Sequence, residues 1–230
     1  MDPLVKIILK DNDEELVYEM ARQFFGHFNL QSWEDVTYGG RDYDYINDDY
    51  GFHTADGATK VVIIPEQAPF VIKIPFIGDE SWDYGETQYF TGGCEYYEDE
   101  DRYDYCAEEA YIYEEARQLG CSRFFVPIVF FDTINGIPVY IQTKVEGLKK
   151  LARPSKEDTF KYASLKNSDQ LDPDVGGCLM QYYTVEEVAD FLQFVMDHSI
   201  NDLEATRNGS YVPAFGRYVF WDYSGYRENY

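Results

Sequence analysis

Cysteine is scarce in this chain and never paired at short spacing. Cys94, Cys106, Cys121 and Cys178 form no C-x-x-C, which argues against a zinc ribbon and makes free thiols in a reducing cytosol the expectation. Histidine is scarcer still. His27, His53 and His198 stand alone, none at metal-ligand spacing from another His or Cys, so structural histidines are expected. Cations are outnumbered, with 19 Lys and Arg against 43 Asp and Glu and a formal net charge of −24. Affinity for nucleic acid is built from Lys and Arg on phosphate, so direct nucleic-acid binding is not expected. No apolar run approaches the ~20 residues that cross a bilayer. The opening Met1-Asp2-Pro3-Leu4 lacks the basic-then-apolar pattern of a leader. A cytoplasmic protein without membrane contact is the expectation.

Apolar and aromatic residues are plentiful. With 230 residues and 45% hydrophobic content, the chain can bury a core as one domain or as two small lobes of one fold. Its 22 tyrosines cluster beside acid in Arg41-Asp42-Tyr43-Asp44-Tyr45 and in Cys94 to Asp101, as solvated loops or as partner-binding surfaces.

The periodicities describe an α+β chain. Leu16, Val17, Met20, Ala21, Phe24, Phe25 and Phe28 recur at helical spacing behind Asn12 and Asp13, which predicts a helix over Glu14 to Phe28. Val61 to Ile64, the turn Pro65 to Pro69 and Phe70 to Ile74 read as a hairpin. An acidic stretch from Gly78 to Arg102 reads as an insertion loop. A helix follows over Ala107 to Leu119, ended by Gly120 as a left-handed cap. Strands are predicted over Phe125 to Phe131 and Pro138 to Val145, joined by Asn135-Gly136. Leu148 to Tyr183 reads as irregular and basic, with Lys149, Lys150, Arg153, Lys156, Lys161 and Lys166. Thr184 and Glu187 form a capping box for a helix to Asp197, buried through Val188, Phe191, Leu192, Val195 and Met196. Arg217 to Trp221 reads as a last strand.

Several residues carry chemistry in this frame. Lys73 sits among aliphatic neighbours in Phe70-Val71-Ile72-Lys73-Ile74; a strand lysine ordinarily faces solvent, but one buried in such a run needs a partner. Glu109 shares a helix face with Ala110, Tyr113 and Ala116, with Glu108 and Glu114 as alternatives on a helix that could equally present a solvated acidic face. Asp202 and Asn208 follow the Thr184 helix in Asn201-Asp202-Leu203-Glu204-Ala205-Thr206-Arg207-Asn208, either as a site or as ordinary turn formers. Asp222 ends the last strand. A nucleoside triphosphate needs a cation for its phosphates, a carboxylate to hold that cation, and oxygen ligands for magnesium.

In this order the segments resemble those of the protein kinase-like superfamily, especially its small atypical bacterial and phage members and the RIO kinases. His53 to Val62, with Gly57, resembles a shortened phosphate-covering glycine loop. Phe70-Val71-Ile72-Lys73 resembles the strand of the phosphate-anchoring lysine, and Glu109 to Gly120 the helix of its paired glutamate. Pro138 to Gly147, with Glu146, resembles the strand and hinge that hold the adenine. Asn201-Asp202-Leu203 with Asn208 resembles the catalytic loop, and Asp222-Tyr223-Ser224-Gly225 the metal-binding motif. The likeness runs from about Gly51 to Gly225. Three departures stand out: a single glycine in the loop, no His-Arg before Asp202 with Asn208 one residue too far on, and only five residues after Gly225.

The resemblance implies a minimal kinase-like fold. Its segments are an N-terminal helix and connection over 1–50, an antiparallel-sheet N-lobe over 51–147 with an acidic insertion at 78–105, and a reduced C-lobe over 148–230. It implies ATP and Mg2+ as cofactors. Asp202, Lys73 and Glu109 take the catalytic roles, Gly57, Lys73 and Glu146 contact the nucleotide, and Asn208 and Asp222 take the metal. A peptide-binding platform is not expected beyond Gly225, which leaves the phosphoryl acceptor open. The alternative is a catalytically inactive pseudokinase, an acidic protein that engages a basic partner or imitates nucleic acid as an inhibitor.

Overall fold

The computed structural model describes residues 2–9, 13–27, 51–56, 60–75, 104–147, 153–200, 203 and 208–223. It is a mixed α+β protein whose largest sheet has five antiparallel strands. The chain divides into two compact units, Met1–Ala107 with Ile128–Lys144, and Glu108–Pro127 with Val145–Tyr230.

The first unit is built on that sheet. Strands β1 (Phe52–Asp56), β2 (Lys60–Pro65), β3 (Phe70–Pro75), β4 (Ile128–Ile134) and β5 (Ile137–Thr143) lie in the order β1-β2-β3-β5-β4. The hairpin predicted from Val61 to Ile74 is present as β2 and β3, with Val62 opposite Lys73. Strand β1 was not anticipated; its residues read as part of a glycine loop. Asn135 and Gly136, at φ of 54° and 81°, close the β4–β5 hairpin as a two-residue turn needing positive φ at both positions. Helix α1 (Pro3–Ile8) packs on β4 and β5, and α2 (Asp13–His27) on β4. The first is short but well signed: Asp2 accepts from the Leu4 N–H at 2.8 Å and Pro3 opens the helix, which costs nothing because that N–H would be unpaired anyway. Tyr18 of α2 donates to Asp132 of β4 and its ring tilts against Phe131.

Helix α3 (Tyr105–Gln118) crosses from one unit to the other. Asp104 caps it by accepting from Ala107 N at 2.9 Å. Gly120, at φ 79°, lets Cys121 N reach back to Ala116 O at 2.7 Å, the left-handed termination expected there.

The second unit contradicts one expectation outright. Leu148 to Tyr183 is not irregular: it holds α4 (Lys156–Ala163) and α5 (Pro173–Leu179), packed on each other. Pro173 and Gly176-Gly177 look like breakers in sequence. In the fold, Pro173 follows the capping Asp172, and a Cβ at Gly176 would fall inside the Tyr162 ring, so the glycines make room rather than end the helix. Helix α6 (Val185–Asp197) has the predicted capping box, Thr184 N donating to Glu187 at 2.8 Å and Glu187 N to Thr184 Oγ1 at 3.2 Å. Its buried face includes Phe194 rather than Met196, which is 38% exposed. Strands β6 (Gly209–Val212) and β7 (Arg217–Phe220) form a separate hairpin.

The predicted strand from Phe125 begins instead at Ile128. Phe125 and Val126 pair with β7: Phe125 bridges Phe220 in parallel, and Val126 N donates to Phe220 O at 2.7 Å. Around this seam Phe124 stacks on Phe191 and Tyr183, each at 4.1 Å, and Phe125 lies 4.5 Å from Tyr223. That cluster is the core of the second unit.

Glu187 supplies a pH-sensitive contribution. The Thr184 backbone N–H, helped by the Arg123 guanidinium, holds its carboxyl below the ordinary value of 4.5. A depressed folded pKa gives stability that is complete above the unfolded value and lost as pH falls through the folded one. Glu187→Gln should therefore cost about 0.3–1 kcal/mol at pH 7, a gap that closes below about pH 4 in urea melts run across pH. A gap independent of pH would remove the carboxylate charge as its cause.

Candidate functional site

Strand β3 is buried on one face and mostly buried on the other, where Val71 is half-buried. Phe70, Ile72 and Ile74 point to one side and are fully buried, with Val61 and Ile63 beside them on β2 and Ile141 on β5. Lys73 lies on the other side at 3% exposure, as the aliphatic run around it suggested. Its cross-strand neighbours are Val62 and Tyr140. A second lysine shares that face. Lys60 opens β2 opposite Pro75 and is 4% exposed. Sequence reasoning passed over Lys60; its signal was a cation leading directly into Val61-Val62-Ile63-Ile64.

Tyr140 completes this face. Its hydroxyl donates to Asp104 Oδ2 at 2.7 Å; burial first, then that hydrogen bond, holds the phenol far above its ordinary range. It stays protonated and fixes the capping residue of α3 to the Lys73 side of the sheet. Gln142 is also buried there, opposite Val71. Beyond β5, Lys144 Nζ donates to Pro65 O at 2.7 Å and Glu66 O at 3.2 Å, tying the β2–β3 turn to the start of the predicted hinge. Glu146, two residues on, is exposed.

In the second unit Glu109 is fully buried on α3; of the residues that spacing puts on its face, Tyr113 and Ala116 are buried and Ala110 is half-buried. The alternatives differ. Glu108 is nearly as buried, whereas Glu114 pairs with Arg117 at 2.8 Å in solvent. Glu115 approaches His198 Nε2 at 3.9 Å, while the same ring stacks on Phe194 with Nδ1 2.9 Å from Phe194 O. His198 is thus held in place structurally. Cys106, Cys121 and Cys178 are buried, and burial first raises the Cys121 and Cys178 thiols above their ordinary range.

The two predicted metal ligands meet at the open end of the β6–β7 hairpin. Register pairs Gly209 with Phe220, so Asn208 lies just before the paired strands and Asp222 just after. The Asn208 carbonyl accepts from Trp221 N at 2.9 Å and Asp222 N at 3.4 Å. Next in line, buried Tyr223 donates to Val126 O at 2.8 Å, which holds the segment against the aromatic core. An amide and a carboxylate are the kind of hard oxygen donors that magnesium takes alongside phosphate and water. Among the described residues no group of three or more His, Cys, Asp and Glu is arranged to hold a metal ion. Asp202 and Gly57 lie outside the described residues. Lys73 and Glu109 fall in different units, Asn208 and Asp222 in the same one.

Compared with protein-family models, curated proteins and solved structures, the chain matches none. Among the described residues no helix is long and apolar enough to cross a membrane.

Removal of the Tyr223 hydroxyl tests how Asp222 is held. Tyr223→Phe should cost about 1–2 kcal/mol in urea unfolding, because the buried Val126 carbonyl loses its donor. An unchanged midpoint would mean that the aromatic contacts alone set this segment.

Proposed function

We propose that the protein is a minimal kinase-like domain that binds ATP with magnesium and transfers the γ-phosphoryl group to a hydroxyl acceptor. The observation that carries this reading is the burial of Lys73 on the third strand of an antiparallel sheet. A lysine on strand β3 and a glutamate on the helix that follows are the phosphate-anchoring pair of kinases. Here β3 is followed by α3 with its buried Glu109. The order of elements also supports it: two strands flanking Gly57, the lysine strand, the glutamate helix, and then β5, which pairs with β3 and leads to Glu146.

In this reading Lys73 holds phosphate oxygens and Glu109 orients Lys73. Gly57 and Glu146 contact the nucleotide. Asn208 and Asp222 hold the magnesium, which when bound neutralises charge on the phosphates. Asp202 takes the proton of the acceptor hydroxyl as its oxygen bonds to the γ-phosphorus and the bond to the β-phosphate oxygen breaks, releasing ADP. Phosphoryl transfer asks mainly for positioning and charge. Buried thiols suit a cytoplasmic setting.

A second reading keeps the same fold without turnover: an acidic interaction protein, or nucleic-acid mimic, that engages a basic partner. The net charge of −24 favours it.

Thermal unfolding with Mg·ATP separates the two. At a hundred times Kd, ligand adds about 2.7 kcal/mol, or roughly 5–10 °C for a chain of this size. Lys73→Met should lose that ligand-dependent shift. Asp202→Ala should keep it and lose on the order of 10²–10⁴-fold in turnover. No shift in the parent at millimolar Mg·ATP would discard the nucleotide reading in favour of the interaction protein.

A further inference from the structure

The Lys73 face of the sheet carries two buried cations. Lys60 and Lys73 lie on adjacent antiparallel strands, with Val62 opposite Lys73 and Lys60 opposite Pro75. Lys60 is two residues before Val62, so both lysines project to the same side and stand in the diagonal relation, about 7–8 Å apart at the backbone. Each has a four-carbon stem. Two ammonium groups so placed can reach successive oxygens of one polyanion, whereas a single phosphate monoester needs only one of them. Both are nearly inaccessible, at 4% and 3% exposure, and burial strengthens any charge-assisted hydrogen bond made there.

The surroundings suit an anion. Tyr140 and Gln142 are the buried polar side chains beside them on β5, and Tyr140 keeps its proton. Asp104 is occupied by Tyr140 and by the Ala107 N–H. An anionic ligand can displace an internal carboxylate from either ammonium, since one negative partner replaces another.

We infer that Lys60 is a second polyphosphate-binding residue, acting with Lys73 from one face of the sheet to favour nucleoside triphosphate over monophosphate. This rests on the nucleotide reading above and adds a residue that the kinase-like pattern does not call for.

Isothermal titration with Mg·ATP and with AMP tests it in the full chain. Lys60→Gln should weaken Mg·ATP by about 10- to 100-fold, the range of one charge-assisted hydrogen bond, and change AMP affinity by less than about threefold. Lys60→Met removes the charge while retaining an apolar stem, and it serves if the glutamine variant does not fold. An ATP-to-AMP preference equal to the parent's in either folded variant overturns the role of Lys60. If Lys73→Met also loses Mg·ATP binding in that case, the nucleotide reading itself survives. A parent that binds neither nucleotide overturns both.

Discussion

Desolvated charge on the sheet's second face is the constraint around which the first unit is organised. An antiparallel sheet can leave one face in water, and then a strand lysine is unremarkable. Here Lys73 and Lys60, on one face of the sheet, are both removed from solvent, at 3% and 4% exposure. Burying an ammonium costs several kcal/mol unless anions and hydrogen bonds compensate it. Two like charges on one dry face also repel each other. Such a face is stable only when built around negative charge. In a chain with 19 cationic residues among 43 acidic ones, two of the few cations are spent where they contribute nothing to solubility.

The second unit depends on a different interaction. Residues 121–127 join three elements at once: Phe124 stacks on α6 through Phe191, Val126 pairs with β7, and Tyr183 donates to Arg123 O at 3.0 Å and to Tyr218 O. Because β7 is pinned on this side, the far side of the hairpin is fixed as well. The backbones of Asn208 and Asp222 are tied together there, the Asn208 carbonyl accepting from the Trp221 and Asp222 N–H groups.

Much of this was legible in the sequence because it rests on local signals. The capping box at Thr184, the left-handed Gly120, the Asn135-Gly136 turn and the alternation around Lys73 each follow from a few neighbouring residues. The helix face of Glu109 follows from spacing alone. What escaped was set by tertiary partners. Pro173 and Gly176-Gly177 signal a loop until Tyr162 is seen to need the space. Phe125-Val126 has the composition of a strand but spends its hydrogen bonds on β7 rather than on β5. Lys60 escaped for a related reason: at the end of an apolar run a lysine looks like a solvated terminus, and only the register with β3 shows that it shares the Lys73 face.

The acidity of the chain does not oppose a polyanionic ligand in the way it opposes nucleic acid. Screening confines the field of surface carboxylates to about 8 Å at physiological ionic strength, so a nucleotide responds chiefly to the charges it touches. A duplex spans tens of ångströms and is bound by neutralising many phosphates at once, a demand that a net charge of −24 works against. A triphosphate presents a few charges at one point, part of them neutralised by its magnesium. Two desolvated lysines on one sheet face are of the kind that such a compact charge demands.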